Sequence, residues 1–238
     1  MKQLFMILAA LSVTTPTFAQ LPTVTQMVPE SVVRIYVNEN RDQIPDSYGS
    51  GVLISPTQIL TNYHVVEDRR KDRRNNSRAV QVRFADGSRS YAVVISQNKL
   101  WDIALLGIHA TKLTPITIGN RPKAGDKATI QGLGPDYEYK QQTGTVSDAK
   151  FHPEYHSDKT DYIEILEVRA RGGDSGGPIT DIHGNLGGLL HGASDQSEKP
   201  YTQGTTIDRI RKVFGSKMKP SRVAESDYTL YKEKSNEK

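Results

Sequence analysis

Residues 171–178 read Arg171-Gly172-Gly173-Asp174-Ser175-Gly176-Gly177-Pro178, four glycines around one serine. Glycine gives up more backbone freedom on folding than any other residue, so a run this dense persists where the chain needs positive φ or close approach to a ligand. A loop that presents a nucleophile needs both. The serine hydroxyl must stand exposed on a rigid turn, and backbone N–H groups must point at the oxygen that becomes negative when a carbonyl is attacked. Here those donors would be the N–H groups of Gly173 and Ser175. Taken alone, the same eight residues also suit a glycine-rich β-turn whose serine bonds only its own backbone.

Two upstream stretches favour the first reading: Leu60-Thr61-Asn62-Tyr63-His64-Val65-Val66, and Trp101-Asp102-Ile103-Ala104-Leu105-Leu106. A neutral imidazole can take the serine proton, and a carboxylate can hold that imidazole in the required tautomer. His64 is thus the candidate base, Asp102 the candidate orienting group and Ser175 the candidate nucleophile. The three motifs, in the order His, Asp, Ser, resemble those of the trypsin/chymotrypsin-like serine proteases, and the resemblance runs over residues 32–214. It implies an all-β fold of two antiparallel Greek-key β-barrels packed together, closed by a C-terminal α-helix. It also implies a serine-type endopeptidase that acts on protein or peptide substrates through an acyl-enzyme, with no metal or organic cofactor. The chain has no cysteine, so it resembles the cysteine-free bacterial secreted branch, with HtrA-type and glutamyl-endopeptidase-type protease domains as its likeness and no PDZ domain. The alternative from another class is a protease-fold binding or chaperone-like module without significant hydrolysis, since a fold does not guarantee an activity.

The remaining composition narrows the setting. At 238 residues the chain can bury a sizeable core without disulfides. Residues 1–19 read as a secretory signal peptide: Lys2 supplies the positive start, residues 4–13 the apolar stretch, and Thr17-Phe18-Ala19 the small-residue cleavage site. A mostly apolar run over residues 4–13 is too short to span a membrane, so a secreted or periplasmic protein is expected. The formal charge of +4 falls to +3 without Lys2, too little to argue for a nucleic-acid partner. The mature chain would cover residues 20–238, with the protease domain at 28–215, barrel 1 at 28–114, barrel 2 plus helix at 115–215, and a polar tail at 216–238.

Short runs of branched residues bounded by turn formers predict the strands: residues 32–37, 51–54, 58–61, 79–84, 91–95, 103–108, 128–134, 143–147, 162–168 and 187–192. Residues 179–186 read as a hairpin turning at His183-Gly184-Asn185, and residues 206–214 switch to helical period, with Ile207, Ile210 and Phe214 on one face and Arg209, Arg211 and Lys212 on the other. The basic run from Arg69 to Arg78 reads as a solvated loop. His152 and His156 have metal-compatible spacing, but Pro153 between them and the lack of a third ligand argue against a metal.

The partner of Asp174 and the substrate pocket lie beyond the three motifs. Asp174 would be buried as a carboxylate and needs a positive or hydrogen-bonding partner. In animal relatives that partner is a new N-terminus, but no Ile-Val-Gly-Gly-like start follows the signal peptide; the resemblance to bacterial relatives that use an internal arginine implies Arg169 or Arg171 in that role. The resemblance also implies a substrate pocket of Arg169, Leu190, His191 and Gly192, with Arg169 near its floor. A positive floor beside His191 would favour an acidic side chain before the scissile bond, unless Arg169 is the partner of Asp174.

Overall fold

The computed structural model describes residues 27, 29–37, 47–67, 79–134, 137–147, 162–194 and 200–222. The signal-peptide stretch, the basic run from Arg69 to Arg78, His152 and His156 all lie outside these residues. The described chain forms two closed antiparallel barrels of six strands each, as expected. Barrel 1 contains β1 (Val32–Val37), β2 (Ser47–Ser55), β3 (Gln58–Thr61), β4 (Val80–Arg83), β5 (Arg89–Asn98) and β6 (Ile103–Ile108), closed in the order β1-β2-β3-β6-β5-β4. Barrel 2 contains β7 (Lys127–Leu133), β8 (Tyr139–Val146), β9 (Tyr162–Leu166), β10 (Pro178–Thr180), β11 (Leu186–Ser194) and β12 (Tyr201–Thr206), closed as β10-β11-β12-β9-β8-β7. Closure removes the unpaired edges that make open sheets prone to association.

Each barrel fills its interior with its own branched side chains. Val33, Ile35, Leu53, Ile59, Val82 and Leu106 form part of the first core, and Ile130, Ile163, Ile165, Ile179 and Leu190 part of the second. A third cluster joins the barrels. Val52, Leu60, Ile103 and Leu105 from barrel 1 meet Leu186 and Leu189 from barrel 2, and helix α2 (Ile207–Phe214) adds Ile207, Ile210 and Phe214. At roughly 1.5–3 kcal/mol for each large side chain taken fully out of water, this shared core is what keeps the seam between the barrels shut.

The helix begins where expected because Thr206 caps it, its side chain accepting the N–H of Arg209. It ends at Gly215, whose φ of +50° suits glycine. One reading of its faces is corrected. Arg209 is buried, with its guanidinium 4.0 Å over the ring of Trp101. The cation belongs to the apolar seam because stacking on indole compensates its partial loss of water. The sequence reading also lacks β12, whose Thr202, Thr205 and Thr206 are all 0% exposed. Its hydroxyls are satisfied internally: Thr202 donates to the Val168 carbonyl at 3.2 Å and Thr205 to that of Trp101 at 2.9 Å.

Candidate active site

His64 sits on α1 (Tyr63–Val66), a single helical turn directly after β3. Asp102 sits just before β6, which pairs with β3, so neighbouring strands deliver the two side chains to one end of barrel 1. The carboxylate grips the histidine twice. Asp102 Oδ1 accepts the His64 backbone N–H at 2.9 Å, and Oδ2 lies 2.7 Å from Nδ1. With Nδ1 donating to the carboxylate, the neutral ring presents Nε2 as an acceptor, the tautomer a general base requires. Both side chains are partly open to solvent, at 33% and 26% exposure.

Asp102 adopts φ of +50°, a conformation that costs a non-glycine residue about 1–3 kcal/mol. The surroundings hold it there. Asn62, 0% exposed at the end of β3, donates Nδ2–H to the Asp102 carbonyl at 2.8 Å. The Asp102 N–H bonds the Lys99 carbonyl, and the Trp101 N–H bonds Asn98 Oδ1 at 3.1 Å. Tyr162 on β9 packs its ring against Trp101 and edge-on against His191. Burial first, and then the negative charge of Asp102, push the Tyr162 phenol up to about 12, so it stays a neutral wall beside the carboxylate.

The serine loop comes from barrel 2 and wedges against barrel 1. The Ser50 N–H donates to the Ser175 carbonyl at 2.8 Å. Gly176 has φ of +86°, and a β-carbon there would meet the Ser50 carbonyl at 2.2 Å, Thr61 Oγ1 at 2.4 Å and the Asn62 nitrogen at 3.2 Å. Only glycine fits, and the fit brings the loop up against the strand end that carries His64. The loop is also tied to its own barrel, through Gly176 N–H to the Leu190 carbonyl at 2.8 Å and Leu190 N–H to the Gly177 carbonyl at 2.9 Å. Gly173, at φ of +93°, and Ser175 donate their N–H groups to no partner among the described residues. The hydrogen bonds among these residues include none between the Ser175 hydroxyl and the His64 ring.

Asp174 is 3% exposed and finds its partner in Arg171. Arg171 donates its backbone N–H to Oδ2 at 2.8 Å and its Nε–H to the same oxygen at 3.4 Å. Glu138 holds the far end of the guanidinium through its carboxylate and its carbonyl. Burial nonetheless leaves the Asp174 carboxyl above its ordinary range, with Arg171 pulling it partly back. Of the two arginines offered by the sequence, Arg171 is the one that meets Asp174. Arg169 is exposed, its main chain bonded to the Gln142 side chain. Leu190 packs in the core of barrel 2, His191 lies half-buried against Tyr162, and Gly192 follows at a bulge in the pairing of β11 with β12.

Asn62, Tyr162, Ser50 and Arg34 carry no role that their sequence stretches reveal; their roles emerge only in three dimensions. The available signal was a polar residue set among buried branched ones, as in Val33-Arg34-Ile35. Among the described residues no group of three or more histidines and acids could hold a metal, and no helix is long and apolar enough to cross a membrane.

A glycine-bound serine pressed from one six-stranded barrel onto the histidine-bearing end of another defines the two-barrel class of β proteins. Within that class, residues 49–189 match the family described as trypsin-like peptidase domain, and the chain belongs to it. It is 32% identical over 145 residues to a probable periplasmic serine endoprotease, DegP-like, of Chlamydia pneumoniae, covering 59% of this chain and 28% of that one. To a serine protease of Mycobacterium tuberculosis it is 27% identical over 174 residues, covering 69% and 42%. The chain therefore spans less than half the length of these relatives. The crystal structure of the serine endoprotease from Yersinia pestis shares its fold, with a TM-score of 0.64 at 24% identity over 83% of this chain and 67% of that one.

Proposed function

We propose that this chain is an exported serine endopeptidase that hydrolyses peptide bonds through Ser175, His64 and Asp102. The observation that carries the reading is the double grip of Asp102 on His64, which leaves Nε2 as the ring's acceptor. Ser175 Oγ attacks the scissile carbonyl carbon while its proton passes to Nε2. The carbonyl oxygen becomes an oxyanion held by the N–H groups of Gly173 and Ser175. Collapse breaks the C–N bond, the leaving amine takes the proton from His64, and an ester on Ser175 remains. Water then attacks the ester with His64 again as base, releasing the acid and restoring the hydroxyl. Asp102 fixes the tautomer and stabilises the imidazolium that forms. The Ser175 hydroxyl would come into hydrogen-bond distance of His64 Nε2 on substrate binding, since catalytic hydrogen bonds commonly form fully only with substrate in place.

The substrate backbone would add alongside β11, with main-chain bonds for affinity and side-chain pockets for selectivity. Arg169, His191 and Gly192 would line the pocket for the residue before the scissile bond, with Leu190, whose side chain packs in the core of barrel 2, behind them. With Arg171 occupied by Asp174 and Glu138, the exposed Arg169 is available to an acidic side chain there. Export follows from the leader-like residues 1–19 and agrees with the periplasmic naming of several relatives. The protease domain would span residues 28–215.

Treatment with a fluorophosphonate tests the reading. One equivalent should attach to Ser175, and Ser175→Ala should abolish both labelling and peptide cleavage. A folded protein that neither labels nor cleaves would instead be a binding module on the same scaffold.

A further inference from the structure

Arg34 on β1 stands directly opposite Ser50 on β2. Both are buried, at 4% and 0% exposure, and both reach out of barrel 1 into barrel 2. Arg34 Nη1 donates to the carbonyls of Leu133 and Gly134, the second at 2.9 Å. Ser50 Oγ accepts the Leu133 N–H at 2.9 Å and donates to the Gly173 carbonyl at 2.7 Å. The end of β7 thus has its main-chain N–H and C=O committed to two side chains of the other barrel, and one of those side chains also holds Gly173.

Gly173 lies flat against this pair. A β-carbon there would come 2.6 Å from Arg34 Nη1 and 3.0 Å from both the Leu133 carbonyl and Tyr48 Cε2. The guanidinium is in turn fixed over aromatic rings, 4.3 Å from the centroid of Tyr48, 5.5 Å from Tyr36 and 5.7 Å from Tyr137. Arg83 stacks on the last of these at 4.1 Å. A cation over a ring face is attracted by the ring quadrupole, most strongly when both are dry. A link that served only to join the barrels could be apolar, because buried charges are often replaceable by hydrophobic residues of similar volume without loss of stability. Here the charge holds the Leu133 and Gly134 carbonyls and the hydroxyl holds the Gly173 carbonyl, so both bear on one residue, Gly173.

We propose that Arg34 and Ser50 act together as positioning residues for the oxyanion hole, clamping the Gly173 loop from the opposite barrel. The inference rests on the reading of Gly173 as an oxyanion donor. A glycine at φ of +93° can turn its peptide groups at little steric cost, and a donor that has turned away is lost to the reaction. The Ser50 hydroxyl removes that freedom at the carbonyl of Gly173. Arg34 blocks the loop from moving toward barrel 1 and holds the Leu133 and Gly134 carbonyls in place beneath it.

The test uses the mature chain carrying Ser50→Ala, Arg34→Met or Arg34→Lys, with rates expressed per site titrated by a fluorophosphonate. Three quantities are compared on one peptide sequence: kcat and KM for the amide, affinity for the trifluoromethyl ketone that forms a bound oxyanion, and affinity for the product acid. Misplacing a reacting group by about 1 Å can cost about a hundredfold, so Ser50→Ala and Arg34→Met should lower kcat about ten- to a hundredfold, with KM within about twofold. Ketone affinity should fall by the same factor while product affinity holds. Arg34→Lys keeps the charge but cannot span both carbonyls as the fork does, and should recover part of the loss. Wild-type kcat per titrated site and wild-type ketone affinity, with only a lower melting temperature, would overturn the clamp. Should the other two variants fail to fold, Arg34→Lys decides: unchanged ketone affinity overturns it, and a fall supports it. Turnover by Ser175→Ala would overturn the underlying reading of the site, and the clamp with it.

Discussion

Replacing Asn62 by alanine isolates how the acid of the site is held. Asn62 is 0% exposed and spends its Nδ2 on the carbonyl of Asp102, 2.8 Å away. Its removal leaves that carbonyl without the amide, a loss of about 1–3 kcal/mol for a buried acceptor. Part of this is returned, because Asn62 Oδ1 is itself buried without a partner among the described residues, and deleting it removes an unsatisfied group. The balance puts the expected destabilisation at about 1–2 kcal/mol, a fall of roughly 2–4 °C in melting temperature for each kcal/mol in a chain of this size. The larger effect is local. Asp102 stores strain at φ of +50°, and once the amide is gone it can relax and loosen its double grip on His64. A fall of about tenfold or more in kcat follows if the carboxylate shifts by a fraction of an ångström, with KM unchanged. Steady-state kinetics on a chromogenic peptide, paired with urea denaturation, reads both numbers. Wild-type kcat in a folded Asn62→Ala protein would refute the claim that this amide positions Asp102.

Other perturbations probe other parts of the site. Asp102→Asn keeps the shape but offers Nδ1 a group that can donate, so the ring takes the wrong tautomer and kcat should drop by about 10⁴-fold, measured against an unchanged melting curve. Gly176→Ala forces a side chain onto the Ser50 carbonyl at φ of +86° and should cost about 2–6 kcal/mol in denaturation. Gly184→Ala, at φ of +79° with open space around it, should cost only about 1 kcal/mol by the same assay. Asp174 gives a pH signature. Its folded-state value lies above the ordinary 3.8 through burial, so the stability it contributes is present below 3.8 and is lost as pH rises through the raised value. Melting curves from pH 3 to 7 should therefore show the wild type losing stability relative to Asp174→Asn as pH increases, and parallel curves would contradict the assignment.

The residues that announce themselves in sequence are those whose chemistry is local. Ser175 is flanked by glycines because its turn needs positive φ at Gly173 and Gly176, and β4 alternates in sequence as it does in burial, so these were legible. The double barrel came from motif resemblance, since runs such as Val32–Val37, buried at every position, carry no strand period of their own. What stayed hidden was polar and long-range. The strand Tyr201–Thr206 lacks an apolar alternation because its buried threonines satisfy themselves on distant carbonyls such as that of Trp101. Arg209 sits on what reads as the wet face of a helix, and its stacking over Trp101, distant in sequence, goes with its burial. The Ser50 hydroxyl acts on a glycine 123 positions away, a relation no local pattern encodes. The choice between Arg169 and Arg171 likewise needed coordinates, because both lie within reach of Asp174 along the chain.

A crystal structure of residues 20–238 after reaction with a peptidyl phosphonate is the most direct test of Ser175 as the nucleophile. The expected structure has a bond from phosphorus to Ser175 Oγ, with the phosphonyl oxygen about 3 Å from the N–H groups of Gly173 and Ser175 and His64 Nε2 at hydrogen-bond distance from the adduct. An unmodified Ser175, or an adduct from which the His64 ring is turned away with its Asp102 bonds intact, would contradict it.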